Sequence, residues 1–243
     1  MDLEALELLL LALAPVVFLF TYVYLADKYE REPLIYLIIT FVLGLVIAYP
    51  VILLGDFLRD FTQVSADSTS WLELAVYAFF VVALSEEGMK YLVLRWYNYR
   101  HDEFDEPYDG IVYGVAVSLG FAAIENVFYV FDSATNGMEV GIMRMFTAVP
   151  AHAMFGVMMG YFVGKSKFCG KTGPPAMWMR TKGLLVAIFF HGLYDFLLFV
   201  REDYATMMAF ASLFFGIYVA RIAIRQHVEI SPHKQDDNHS WPQ

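Results

Sequence analysis

Residues 109–131 read DGIVYGVAVSLGFAAIENVFYVF. At about 1.5 Å of rise per helical residue, this run is long enough to cross a hydrocarbon core of about 30 Å. Only Asp109, at its start, and Glu125, well inside, carry charge. At lipid depth a backbone must satisfy its own hydrogen bonds, which leaves helices or closed barrels. A continuous apolar run of this length excludes a barrel strand, so the segment reads as a membrane helix.

Outward from it the same pattern repeats. Apolar segments run over 5–25, 34–54, 72–95, 140–164, 181–200 and 204–225. The expected fold is all-α, a polytopic membrane bundle of about seven transmembrane helices. The composition agrees. Of 243 residues, 59% are hydrophobic and 17% charged, against about a quarter charged in soluble domains. Mean hydropathy is +0.53. A soluble globule, a disordered chain, a coiled coil and a disulfide scaffold are excluded; the single cysteine, Cys169, cannot staple the chain. Residues 1–226 read as one membrane domain with a motif core over about 70–200. Residues 227–243, with Ser231, Pro232, Asp236, Asp237 and Asn238, read as a polar, disordered cytoplasmic tail. A net charge of −10 argues against nucleic acid as a partner, since that interface needs a basic face. Asp2, Glu4 and Glu7 make the N-terminus acidic where a secretory signal is basic, so the first span is expected to be retained.

Basic residues set the orientation. With seven spans, Lys28, Arg31, Arg95, Arg100, Lys165, Lys167, Lys171, Arg180, Lys182, Arg221, Arg225 and Lys234 share one side. Only Arg59 and Arg201 fall on the other, while Lys90 and Arg144 lie inside spans. This predicts an external N-terminus and a cytoplasmic C-terminus. Two small-residue stripes at fourfold spacing, Gly110-Gly114-Ser118-Ala122 and Gly156-Gly160-Gly164, mark faces where helix backbones can approach closely.

Against that apolar background stand groups that are costly at membrane depth. Glu86, Glu87 and Lys90 lie in the third span, Glu125 and Asn126 in the fourth, His152 in the fifth, and His191 and Asp195 in the sixth. Each charge costs about 2.5–3.5 kcal/mol at a helix centre, so such residues are read first as a functional site. Glu86 and Lys90 are four apart and share a face. Glu87 is turned by about 100°, so one lysine is not expected to serve both acids equally. Glu87 then needs a metal, a histidine or a proton. Glu125 and His152 lie on the small-residue faces and point inward. His191 and Asp195 are one turn apart, a spacing suited to an oriented imidazole or to two metal ligands. Two histidines with carboxylates form the donor set of a hydrolytic zinc site. Without metal, the same groups could activate water through a glutamate and steady an oxyanion through histidine.

Four ordered motifs carry a resemblance: Glu86-Glu87-x-x-Lys90, Phe121-x-x-x-Glu125-Asn126, His152-x-x-x-Gly156 and His191-x-x-x-Asp195, with Glu106-Pro107-Tyr108-Asp109-Gly110 as a lead-in. The sequence resembles the PrsW family of intramembrane proteases, distant relatives of the CAAX prenyl endopeptidases. The resemblance implies an integral protein of a prokaryotic cell membrane that cuts membrane-embedded or membrane-adjacent proteins, a membrane anti-sigma factor among the candidate partners. The expected catalytic residues are Glu86, Glu87, Lys90 and Asn126. The expected ligands of a divalent metal, zinc first, are Glu125, His152, His191 and Asp195. A metal-free glutamate mechanism is the alternative within this class. A proton- or ion-coupled transporter would use similar acids, although no internal repeat is present. A seven-helix receptor or scaffold fits the topology but not the cost of the charges.

Overall fold

The computed structural model describes residues 3–132, 136–170 and 172–234. They form α1 (Leu3–Ala26), α2 (Leu34–Val46), α3 (Ala48–Thr62), α4 (Trp71–Val76), a π-helical segment (Tyr77–Ala83), α5 (Leu84–Trp96), α6 (Pro107–Val130), α7 (Gly137–Phe146), α8 (Ala148–Phe168), α9 (Pro174–Phe199) and α10 (Asp203–Glu229). Among the described residues there is no strand. Six stretches are long and apolar enough to cross a membrane: Leu3–Ala26, Leu34–Thr62, Pro107–Val130, Gly137–Phe168, Pro174–Phe199 and Asp203–Glu229. The remaining expected span, 72–95, is helical throughout but less apolar, because it carries Glu86, Glu87 and Lys90.

Two of the spans are broken, each by a proline. α2 gives way to α3 at Ile47, and Pro50 is the cause; α7 gives way to α8 at Thr147, and Pro150 is the cause. A proline lacks the N–H that would bond four residues back, and its ring crowds that carbonyl. The carbonyls concerned belong to Val46 and Phe146, the last residues of α2 and α7.

α6 is the central post. Its stripe and that of α8 face each other, as the spacing predicts. A Cβ on Gly110 would meet the Gly160 carbonyl at 2.5 Å, and one on Gly114 the Gly156 carbonyl at 2.6 Å. A second side of α6 meets α2, where a Cβ on Gly44 would strike the Val117 carbonyl. Backbone-to-backbone packing on two faces buries nearly all of α6. The outer helices instead expose large apolar side chains, including Val17, Phe18, Ile35, Ile38, Phe214 and Phe215, as a lipid-facing surface does.

The C-terminal end is more structured than a tail starting at 227 suggests. α10 continues to Glu229, with His227 buried and its Nδ1 donating to the Pro107 carbonyl at 2.9 Å. A short turn follows to Lys234. The rest of the expected disordered tail, 235–243, lies outside the described residues.

Candidate active site

The polar motif residues converge where α5, α6, α8 and α9 meet. The π-helical segment feeds directly into α5; such segments are rare and recur at functional sites. It packs on α9, where the Phe79 ring occupies the space a side chain at Gly192 would need, 2.4 Å from its Cβ position. That glycine lets α9 bring His191 against α5.

Lys90 is the hub. Its ammonium is fully buried. It lies 3.1 Å from Glu86 Oε2, 2.8 Å from Glu87 Oε1 and 3.2 Å from His152 Nδ1. An ammonium has three donors and no acceptor, and here each has one acceptor. The expectation that one lysine would not serve both glutamates equally is corrected to this extent: Lys90 reaches both, at 3.1 and 2.8 Å. Glu86 and Glu87 precede it by four and three residues, and both spacings place side chains within reach. The ammonium also sits 4.4 Å from the centre of the Phe121 ring, a cation–π contact that is strongest where water is excluded.

From this hub two arms extend. On one, Glu87 Oε1 lies 2.8 Å from His191 Nδ1, and His191 Nε2 lies 3.3 Å from Asp195 Oδ2 and 3.9 Å from Glu86 Oε2. A neutral ring would turn one lone pair toward a carboxylate; an imidazolium donates to both sides. The ring stacks on Phe155 at 4.7 Å between centres. On the other arm, Lys90 donates to His152 Nδ1, which leaves the proton on Nε2 to donate to Glu125 Oε2 at 2.8 Å. Glu125 also accepts from Arg144 Nη2 at 2.8 Å.

Asn126 is engaged differently from a group that meets substrate. Its Oδ1 accepts from Arg144 Nε at 2.6 Å and its Nδ2 donates to the Ala12 carbonyl at 3.1 Å. Both polar ends are used in tying α7 and α1 to α6, so Asn126 positions Arg144. Arg144 itself was not singled out among the candidates. The available signal was a second intramembrane cation beside an excess of acids.

Access distinguishes the two glutamates. Glu87 is fully buried, whereas Glu86 lines a cavity of about 200 Å³ with Val51, Gly55, Asp56, Arg59 and Ser85. The cavity opens between α3 and the π-helical segment.

A bound metal can be judged by where the donors lie. Four carboxylates, Glu86, Glu87, Glu125 and Asp195, face two fixed cations, Lys90 and Arg144, so the donor chemistry would accept a divalent ion. Donor atoms of Glu86, Glu87 and His152 come within 4.8 Å of one another. The Lys90 ammonium already bridges these same three residues. The set expected from the sequence is not gathered as one donor group: His152 Nε2 faces Glu125, and His191 Nε2 faces Asp195. With Lys90 in place the residues do not fit a metal.

Comparison with known proteins agrees with the motifs. The family described as PrsW family intramembrane metalloprotease matches residues 32–222. Protease PrsW of Geobacillus kaustophilus is 40% identical over 195 residues, covering 80% of this chain and 81% of the relative. Protease PrsW of Clostridioides difficile is 37% identical over 84% of each chain. Protease PrsW of Bacillus subtilis is 36% identical over 81% of this chain and 84% of its own. No solved structure matches. With its membrane-spanning helices and buried polar network, the chain is an integral membrane protein that belongs to the PrsW family of intramembrane proteases.

Proposed function

We propose that the chain is an intramembrane endopeptidase that hydrolyses single-span membrane proteins with a water activated by Glu86. The supporting observation is that Glu86 alone of the two adjacent glutamates faces the cavity, while the Lys90 ammonium donates to its carboxylate at 3.1 Å.

The residues suggest the following course. Substrate backbone enters the cavity between α3 and the π-helical segment. Glu86 takes a proton from water, and the water oxygen bonds to the scissile carbonyl carbon. The carbonyl electron pair moves onto its oxygen, which His191 stabilises by turning its Nε2–H from Asp195 to the oxyanion while Glu87 holds Nδ1. On collapse the C–N bond breaks and Glu86 returns its proton to the leaving nitrogen. The products are a carboxylic acid and an amine, which exchange a proton to become carboxylate and ammonium. His152, Glu125 and Arg144 form the wall that keeps Lys90 aimed at the glutamates. A membrane anti-sigma factor is one substrate of the required kind.

A second reading keeps a divalent ion, zinc by donor type. It is favoured by the excess negative charge and by Glu87 Oε2, buried without a partner. It requires Lys90 to leave its three acceptors. When bound, zinc would be held by Glu86, Glu87 and His152 and would polarise the scissile carbonyl.

The test is cleavage by the purified chain in lipid vesicles carrying a panel of single-span test proteins, with products identified by mass spectrometry. Wild type is expected to cut within or beside a span, and Glu86→Gln to be inactive while folded. Cleavage by Glu86→Gln at the wild-type rate, or proton-coupled uptake without any cleavage, contradicts the proposal.

A further inference from the structure

A second polar cluster lies at the other end of α6, in the layer that the basic loops assign to the cytoplasmic side. Asp27 follows α1, Glu32 precedes α2, Glu106 precedes α6 and Asp109 sits in its first turn. All four are at most 3% exposed. Donor atoms of Asp27, Glu106 and Asp109 lie within 4.8 Å of one another, and Glu32 adjoins Asp109.

The carboxylates are only half satisfied. Asp109 Oδ2 accepts from the Asp105 and Glu106 amides at 2.8 and 2.7 Å, and Glu32 Oε2 accepts from the Tyr113 hydroxyl. The remaining oxygens, Asp27 Oδ2, Glu32 Oε1, Glu106 Oε2 and Asp109 Oδ1, are buried with no N–H or hydroxyl donor; the Glu32 and Asp109 carboxyls lie within hydrogen-bonding reach of each other. Nearby cations do not neutralise them. Arg31 Nε donates to the Asp27 backbone carbonyl at 3.3 Å, and Lys167 Nζ to the His101 carbonyl at 3.0 Å. Among the described residues, none of the four carboxylates is in a salt bridge. Burial, then the charge of Glu106, pushes the Asp27 carboxyl up to about 7, and burial pushes Glu32 up to about 8. Four buried acids with four bare oxygens and no counter-ion must either take up protons or be completed by a cation, and their shared, oxygen-only lining suits the second.

The geometry points to a binding site for a hard divalent cation, calcium or magnesium, formed by Asp27, Glu32, Glu106 and Asp109. The donors are all oxygens, as such ions prefer. A rim of Glu30, Asp105 and His233 stands outside it, with His233 Nε2 3.7 and 3.4 Å from the two acids. The exposed acids offer an entry path, and the segment after α10 crosses over it. The site is separate from the active site: Glu125 is sixteen residues along α6 from Asp109, roughly 24 Å at about 1.5 Å per residue. A cation here would clamp the α1–α2 connection to the start of the central helix. The inference does not depend on the protease reading.

The test uses the full chain in detergent after chelation. Calcium, magnesium and manganese are titrated separately while the thermal midpoint and equilibrium ion binding are followed. Saturable binding of about one ion is expected, with a midpoint rise of roughly 5 °C at a hundredfold excess over Kd. Glu106→Gln and Asp27→Asn should each weaken binding at least about tenfold, at roughly 1.4 kcal/mol per factor of ten. They should also raise the midpoint of the ion-free protein, because one buried charge is gone. Asp195→Asn, in the other cluster, should leave ion binding unchanged. The inference is overturned if none of the three ions binds saturably to wild type. It is equally overturned if Glu106→Gln and Asp27→Asn bind as wild type does.

Discussion

Replacing Lys90 by methionine removes one ammonium and deprives three acceptors, at 2.8, 3.1 and 3.2 Å, of the donor they share. Lys90 and Glu87 are fully buried. Removing one partner of a buried ion pair costs about 3–5 kcal/mol, because the other charge remains uncompensated. Here two carboxylates would be left side by side, so at least one must take up a proton. If that carboxylate is Glu86, the general base is lost, a change worth about 10²–10⁴-fold in rate. Lys90→Met should therefore lower both the thermal midpoint and kcat, with KM little changed. Lys90→Arg, which keeps the charge but not the three-way geometry, should recover more stability than activity. The assay is cleavage of a single-span test peptide in vesicles, beside thermal unfolding of the same samples. Wild-type kcat in a folded Lys90→Met protein would refute the reasoning. So would a gain in activity that depends on added zinc, which would identify Lys90 as an occupant of a metal site.

Other substitutions separate the remaining parts. Gly160→Ala places a Cβ 2.1 Å from the Gly110 carbonyl and should force α6 and α8 apart, lowering thermal stability and kcat together; Gly88→Ala, with nothing within 4 Å, should keep the wild-type midpoint. Gly55→Trp has open space at its Cβ but projects into the cavity that leads to Glu86, so kcat/KM should fall while the midpoint holds. Arg144→Ala leaves Glu125 with only His152 and should reduce kcat about tenfold, an effect of roughly 1.4 kcal/mol; Arg144→Lys should restore part of it. Asp195→Asn removes one of the two carboxylates that hold His191 and should lower kcat more than it raises KM, checked by steady-state cleavage kinetics.

The membrane architecture was legible because apolar runs and small-residue stripes are local signals. Gly110, Gly114, Gly156 and Gly160 face one another as their spacing predicts. The candidate site was legible for a related reason: Glu86, Glu87, Lys90, Glu125, His152, His191 and Asp195 are conspicuous wherever their neighbours are apolar. Their wiring was not. That Lys90 spans both glutamates and His152 depends on how α5 is rotated against α8, which tertiary packing sets. Asn126 looked like a catalytic amide beside Glu125, but its partners, Ala12 and Arg144, come from other helices. The acids at the foot of α6 do not read as a cluster for the opposite reason, although Glu106 and Asp109 stand in the lead-in motif. Asp27, Glu32, Glu106 and Asp109 sit next to polar loops, where charge is ordinary, and only the fold buries them together. Pro50 and Pro150 both stand inside expected spans, and the breaks at Ile47 and Thr147 show in the geometry of α2, α3, α7 and α8.

The central claim is that Glu86, held by Lys90, activates the water. It is tested most directly by counting zinc in the purified chain and measuring cleavage in the same vesicles before and after a zinc-selective chelator. The account predicts cleavage that persists with no stoichiometric zinc and is abolished by Glu86→Gln. One bound zinc per chain, whose removal stops cleavage and whose return restores it, would contradict the account.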